Sequence, residues 1–259
     1  MLGTLMQAGL RLDVPMTQRL NEFQQPIGAA LPDWHAAQRP GAASLSGRYC
    51  RLERIDVERH AAELFEAFQA GPDLRHWTYL YAGPFHNLDD YRDYLASLVP
   101  LADPMHYAVI DQASGKAVGT LALMRIDPNN GVIEVGSVTY SPRMQRTRIS
   151  TDAMAVLLRH VFGDLGYRRL EWKCDSLNQP SRTAALRYGF SFEGIFRQAV
   201  VTRGRNRDTA WFSIIDSEVP ALLQAYEQWL EPDNFNAAGQ QRHTLGYCIE
   251  QAQKKASVR

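Results

Sequence analysis

The chain has 259 residues, with 28 lysines and arginines against 28 aspartates and glutamates and an apolar fraction of 45%. That apolar content supports a sizeable core, and the length fits one large domain or two small ones. The balanced charge supplies no global basic field to hold nucleic acid by counterion release, and no apolar run reaches the roughly 20 residues of a membrane-spanning helix.

The first residues, M-L-G-T-L-M-Q-A-G-L-R, lack the basic start and long apolar segment of a secretion signal. Cys50, Cys174 and Cys248 are far apart, odd in number and without metal-ligand spacing, which suits a reducing compartment and indicates no metal site. A cytoplasmic protein is expected, with no nucleic-acid or membrane partner. Arg203, Arg205 and Arg207 form a local basic patch.

In chain order, residues 1–47 read as an irregular arm, broken by Pro15, Pro26, Pro32 and Pro40. Phe23, Ile27, Leu31 and Trp34 give it apolar surface expected to pack on a body. Residues 48–55 predict a first strand. Residues 58–69 predict a helix with Ala61, Leu64, Phe65 and Phe68 on one face, and residues 88–99 a second, with Asp89 and Asp90 near its positive end. Strands follow at 106–110 and 117–123, joined by the turn D-Q-A-S-G-K, and at 132–140 after the turn at 127–131. The clearest helix is 151–165, where Met154, Leu157, Leu158, Val161, Phe162 and Leu165 recur at helical spacing before Gly166. In the next strand, Leu170, Trp172 and Cys174 alternate with Arg169, Glu171 and Lys173. Asn178 closes it. Pro180 and Ser181 open a short helix that runs to Gly189. Strands at 192–202 and 208–215 form a hairpin over residues 203–206. A final helix covers 218–230, and residues to 259 are polar and weakly patterned. The order predicts an α/β (α+β) fold, a mixed sheet flanked by helices.

A strand, then Asn178-x-x-Ser181 opening a short helix, then Gly189-Phe190, resembles the second half of the acyl-CoA site of the GNAT acetyltransferases. The resemblance covers residues 47–217 and is nearest to the branch of the RimJ and RimL ribosomal-protein N-terminal acetyltransferases. It implies a mostly antiparallel sheet in which the strands at 132–140 and 168–174 lie parallel and splay, opening a slot for the pantetheine arm of acetyl-CoA. The organisation expected is an arm at 1–47, the acetyltransferase domain at 48–217 and a C-terminal helix and polar tail at 218–259. The sequence from Met16 looks like the start of family members that carry such an arm, so Met1 is expected to be an upstream start.

The resemblance also assigns site residues. The pyrophosphate motif Q/R-x-x-G-x-G/A aligns with Gln145, Arg146, Thr147, Arg148, Ile149 and Ser150, running into Thr151 on the helix. Ser150 keeps the small residue, but Arg148 replaces the first glycine. Backbone N–H groups at a helix start attract phosphate; the other reading is a solvated surface loop. Asn178 is either a plain turn former or a donor to the pantetheine arm. Ser181 is either a helix cap or the group that protonates the departing CoA thiolate. The tyrosine many relatives use falls at Ala185, and Tyr188 is read as packing. Glu134 is either a solvent-facing strand residue or the base that takes the acceptor's proton. Backbone N–H groups of Ser137, Val138 and Thr139 would polarise the thioester carbonyl. The aromatic loop containing Trp77, Tyr79, Tyr81 and Phe85 is either a clamp on the core or the acceptor wall.

The expected activity is direct acetyl transfer from acetyl-CoA to a primary amine, either a protein N-terminus or a small molecule, without a metal. A homodimer stays open. The alternative is a non-catalytic CoA-binding or protein-interaction module on the same scaffold.

Overall fold

In the computed structural model, which describes residues 19–257, the chain divides into two units at the junction of His35 and Ala36. The proposed start at Met16 lies outside the described residues. In the first unit, β1 (Arg19–Leu20) pairs antiparallel with β2 (Pro26–Ile27). Asn21 shapes the turn, its Oδ1 accepting from the N–H groups of Phe23 and Gln25. Phe23, Ile27 and Leu31 are 73%, 48% and 53% exposed. Within this unit the arm is held by turn hydrogen bonds.

The second unit is built on an eight-stranded sheet in the order β3-β4-β5-β6-β7-β8-β10-β9. Its strands are β3 (Ser44–Ser46), β4 (Cys50–Arg54), β5 (Met105–Asp111), β6 (Ala117–Asp127), β7 (Val132–Tyr140), β8 (Arg169–Asp175), β9 (Ser191–Thr202) and β10 (Arg205–Ile215). Every neighbouring pair is antiparallel except β7 and β8. The expected mixed, mostly antiparallel α/β sheet is therefore present.

Alternation along the strands feeds two cores. Tyr107 and Val109 of β5 join the larger one, with α3 (Arg148–Leu158) and α5 (Val219–Leu230). Ala108 and Ile110 join the other, with α1 (Val57–Gln69) and α2 (Leu88–Leu98). A period of two along a strand sends successive side chains to opposite faces, so helices cover the sheet on both sides. Asp56 caps α1 by accepting from Arg59 N–H, and Asn87 caps α2 by accepting from Asp90 N–H.

Three elements differ from the sequence reading. The helix expected at 151–165 starts earlier, at Arg148, and its last turns, Arg159–Asp164, are π-helical. The β9–β10 turn uses two residues, not four. Arg203 and Gly204 both have positive φ (49° and 70°), the geometry that matches the twist of a tight hairpin. The C-terminal tail is not unpatterned. α6 (Leu245–Ser257) buries Leu245, Cys248, Ile249 and Ala252, a helical stripe, against the larger core.

Candidate active site

β7 and β8 pair only at Val132–Arg169, Ile133–Leu170 and Glu134–Glu171. Past that point both strands continue without each other. On its other side β7 carries a bulge. Between the pairs Ala122–Gly136 and Thr120–Thr139, Ser137 and Val138 oppose the single residue Leu121. Ser137 has φ +48°. A bulge leaves its extra residue out of the ladder, and this one lies just past the point where β7 and β8 part.

Beyond β7, the N–H groups of Met144 and Gln145 both donate to Ser141 O, and Gln145 Nε2 donates to Tyr140 O at 2.7 Å. Thr147 is the extended N-cap of α3, and no side chain caps the helix. Thr147 Oγ1 instead donates to Met144 O, and Ser150 Oγ to Thr147 O. The first-turn N–H groups thus remain for an anion. The left-handed residue of this loop is Arg146 (φ +60°), whereas Arg148 is the first helical residue. Replacement of the family glycine at 148 therefore imposes no backbone strain. The Arg148 guanidinium lies 4.8 Å from the ring centres of both Tyr49 and Phe235. Ile149 packs partly against the core. Ser150 and Thr151 are buried, and Thr151 Oγ1 accepts from Arg187, so these two present backbone rather than side chain. A cavity of about 420 Å³ adjoins Thr147, Arg148 and Ile149, bounded by Arg48, Tyr49 and Gln112.

On the β8 side, Asn178 Oδ1 accepts from Ser181 N–H and so caps α4 (Gln179–Arg187). The Trp172 indole N–H donates to Ser181 Oγ at 3.0 Å. The Ser181 hydrogen is still available to donate, and the Cys174 side chain is one partner within reach. Burial pushes the neighbouring Cys174 thiol up, which disfavours a thiolate nucleophile. Ala185 is fully buried, and Tyr188 is buried with its hydroxyl donating to Ser150 O. Tyr188 is a packing residue that ties α4 to α3.

Glu134 is buried, at 5% exposure, and does not face solvent. Its Oε2 lies 2.9 Å from Lys173 Nζ and 3.5 Å from Arg125 Nε. Lys173 also reaches Glu171 at 2.6 Å, and Arg169 links Glu171 (2.9 Å) to Glu193. Burial raises the Glu134 carboxyl above its usual range, opposed chiefly by Lys173. Lys173 Nζ also sits 3.8 Å from the Trp211 ring centre. Sequence reasoning passed over Lys173. Its alternation gave the face, but the strand register that sets it against Glu134 is not written in either segment alone.

The aromatic loop divides. Trp77 is buried, edge-on to Phe68 (5.5 Å) and Phe85 (5.3 Å), and Phe85 stacks on Tyr94 at 4.9 Å. A Cβ on Gly83, whose φ is +73°, would fall 2.5 Å from the Trp77 ring, so glycine is required there. Tyr79 and Tyr81 point outward, at 37% and 66% exposure. The Tyr79 hydroxyl donates to Leu177 O, just before α4. Arg203, in the β9–β10 turn, donates to the carbonyls of Ala82 and Gly83. Trp77 and Phe85 are thus the frame, and Tyr79 and Tyr81 the surface.

Among the described residues, no group of histidine, cysteine and acidic side chains could hold a metal ion, and no helix is long and apolar enough to cross a membrane.

A sheet that parts between two parallel strands, beside a helix start without a side-chain cap, is the arrangement that the resemblance to the acyl-CoA-dependent transferases implies. Residues 50–191 match the acetyltransferase (GNAT) domain family. A crystal structure of a GCN5-related N-acetyltransferase from Brucella melitensis is 48% identical, covers 85% of this chain and 100% of its own, and superposes with a TM-score of 0.82. A relative described as uncharacterized N-acetyltransferase p20, from Bacillus licheniformis, is 23% identical over 64% of this chain and 98% of its own. The structure of RimL, a ribosomal L7/L12 alpha-N-protein acetyltransferase in complex with coenzyme A, shares the fold at 21% identity and a TM-score of 0.54, covering 67% of this chain and 99% of its own. The chain belongs to the GNAT family of acetyltransferases. It is an acetyltransferase enzyme, and it acts on an amine acceptor.

Proposed function

We propose that the chain transfers an acetyl group directly from acetyl-CoA to a primary amine, with both substrates bound together. The observation that carries this reading is where β7 and β8 part. Glu134 sits at the last shared pair, Glu134–Glu171; the bulged segment Ser137–Thr139 follows on β7, and Ser181 bonds Trp172, the residue after Glu171 on β8.

In this reading, Gln145 to Thr151 hold the diphosphate of the acetyl donor, chiefly through first-turn N–H groups of α3. Asn178 shapes the turn that the pantetheine arm passes. The backbone of Ser137, Val138 and Thr139 polarises the thioester carbonyl. Glu134 takes the proton of the acceptor ammonium, directly or through water, because only the free amine attacks a thioester. The nitrogen bonds to the carbonyl carbon and gives up its second proton, the carbon–sulfur bond breaks, and that proton ends on the departing sulfur, which the Ser181 hydroxyl stabilises by a hydrogen bond as it leaves. Tyr79 and Tyr81 face the acceptor, over the frame of Trp77 and Phe85.

A protein or peptide N-terminus, as in the RimJ/RimL branch, and a small primary amine are both acceptors of this chemistry. The test is release of CoA thiol from acetyl-CoA with a panel of peptides and small amines. Release that depends on amine supports the reading; none with any amine refutes it.

A further inference from the structure

Arg207, Thr209 and Trp211 alternate along β10 and so share one face. Trp211 pairs with Lys173, and Thr209 with Asp175, across the β8–β10 ladder. This is the face of Glu134, since Lys173 touches both Glu134 and the Trp211 ring. Arg207 is 8% exposed and Thr209 6%. Arg207 Nε, Thr209 Oγ1 and Trp211 Nε1 are each buried and have no hydrogen-bond partner among the described residues.

Buried cations are as a rule paired with a carboxylate. Arg207 forms no ion pair with any described residue, and its guanidinium lies under the Tyr81 ring, 5.0 Å from its centre. The nearby acids are engaged elsewhere. Asp175 accepts from Leu177 N–H, and Asp208 accepts from Gln198 N–H and Asn206. The row thus offers a guanidinium, a hydroxyl and an indole N–H over five residues, about 13 Å of strand. It begins beside the Glu134–Lys173 pair and ends beneath Tyr81. What would satisfy it is a ligand that brings acceptor oxygens and one negative charge.

We infer that the acceptor amine carries a carboxylate, held by Arg207 with Thr209, while its nitrogen lies toward Glu134. A planar guanidinium matches a carboxylate with two parallel hydrogen bonds. The inference rests on the proposed direct transfer, because that reading makes the Glu134 side the acceptor side. Two sources supply the chemistry: a free amino-carboxylate, or an acidic residue near the N-terminus of a peptide.

The experiment is calorimetric titration of the full chain saturated with CoA. The probes are two matched pairs, aminovalerate against pentylamine, and the peptide Ala-Ala-Glu-amide against Ala-Ala-Gln-amide. In at least one pair the carboxylate should bind about tenfold tighter, the size of one charge-assisted contact. Arg207→Met should cut that advantage to about twofold or less, and Arg207→Lys should restore part of it. Thermal melts check that each variant folds, and the lysine variant keeps the test open if Arg207→Met does not. Equal binding within both pairs overturns the inference, as does an advantage that survives Arg207→Met. Thiol release from acetyl-CoA is followed in parallel. A carboxylate preference without release leaves this site standing and sinks the transfer reading. Release indifferent to the carboxylate does the reverse.

Discussion

The Trp172 indole N–H donates to the Ser181 hydroxyl oxygen at 3.0 Å. This leaves the serine its hydrogen to offer. Its oxygen accepts from a neighbour on β8, and its hydroxyl also bonds the Cys174 side chain, a contact the departing thiolate would have to replace. Ser181→Ala should lower kcat by about tenfold or more while changing acetyl-CoA affinity little, because the contact strengthens as the thiolate forms. Trp172→Phe should give a smaller fall in kcat. Tyr188→Phe should leave turnover unchanged and cost about 1 kcal/mol of stability through its lost bond to Ser150. Steady-state kinetics beside denaturant melts check all three, and a large kcat loss in Tyr188→Phe alone would reverse the assignment.

Glu134 and Lys173 are coupled, and pH should reveal it. Burial raises the Glu134 carboxyl and Lys173 pulls it back. Lys173→Met leaves Glu134 and Glu171 as adjacent buried carboxylates, so the acid limb of the kcat/KM profile should move to higher pH by about one unit. It should also cost about 3–5 kcal/mol of stability, the penalty for breaking a buried pair. Glu134→Gln should depress the rate most near neutral pH and less at alkaline pH, where free amine is already present. A loss independent of pH would mean that Glu134 positions and does not take a proton.

His106 should report on acid unfolding. Burial, aided by Arg54, pushes its imidazole down from 6.5 to about 4. A depressed folded value means stability that is present above the unfolded value and lost as pH falls through the folded one. Stability should therefore drop between pH 6.5 and about 4, by up to roughly 3 kcal/mol. His106→Gln should flatten that limb in urea melts taken across the range. An unchanged slope would show that other groups set it.

Arg148→Gly restores the family glycine and tests whether its loss weakens the donor site. Arg148 is helical and stacked between Tyr49 and Phe235, so the glycine should cost about 2 kcal/mol in lost cation–π contact and helix propensity. Acetyl-CoA affinity should not improve. Arg146→Gly relieves the left-handed residue (φ +60°), and its melting temperature should stay level or rise slightly. Calorimetry showing tighter acetyl-CoA binding by Arg148→Gly would mean that the arginine obstructs the diphosphate.

The fold was legible where local pattern and burial agree. Leu170, Trp172 and Cys174 alternate in the sequence and all three are buried in the larger core. α6 escapes a reading by pattern because only Leu245, Cys248, Ile249 and Ala252 carry its stripe, two of them small or weakly apolar, in an otherwise polar segment. For the site, the spacing from Asn178 to Ser181 is local, so the cap and the hydroxyl could be read directly. Lys173 could not. Its role depends on strand register between segments about forty residues apart, which hydrophobic pattern fixes only jointly. Glu134 was open for the same reason: alternation distinguishes its face from that of Ile133 and Val135, but not whether that face is wet. Trp77 and Tyr79 belong to one aromatic run, and only packing separates frame from surface.

The most direct test of direct acetyl transfer is initial-rate CoA thiol release, with acetyl-CoA and an accepted amine varied together. The account predicts release that requires amine and double-reciprocal lines that intersect, as for a complex holding both substrates, with slower rates in Ser181→Ala and Glu134→Gln. Parallel lines with a burst of CoA before amine is added would require an acetylated enzyme and would contradict it.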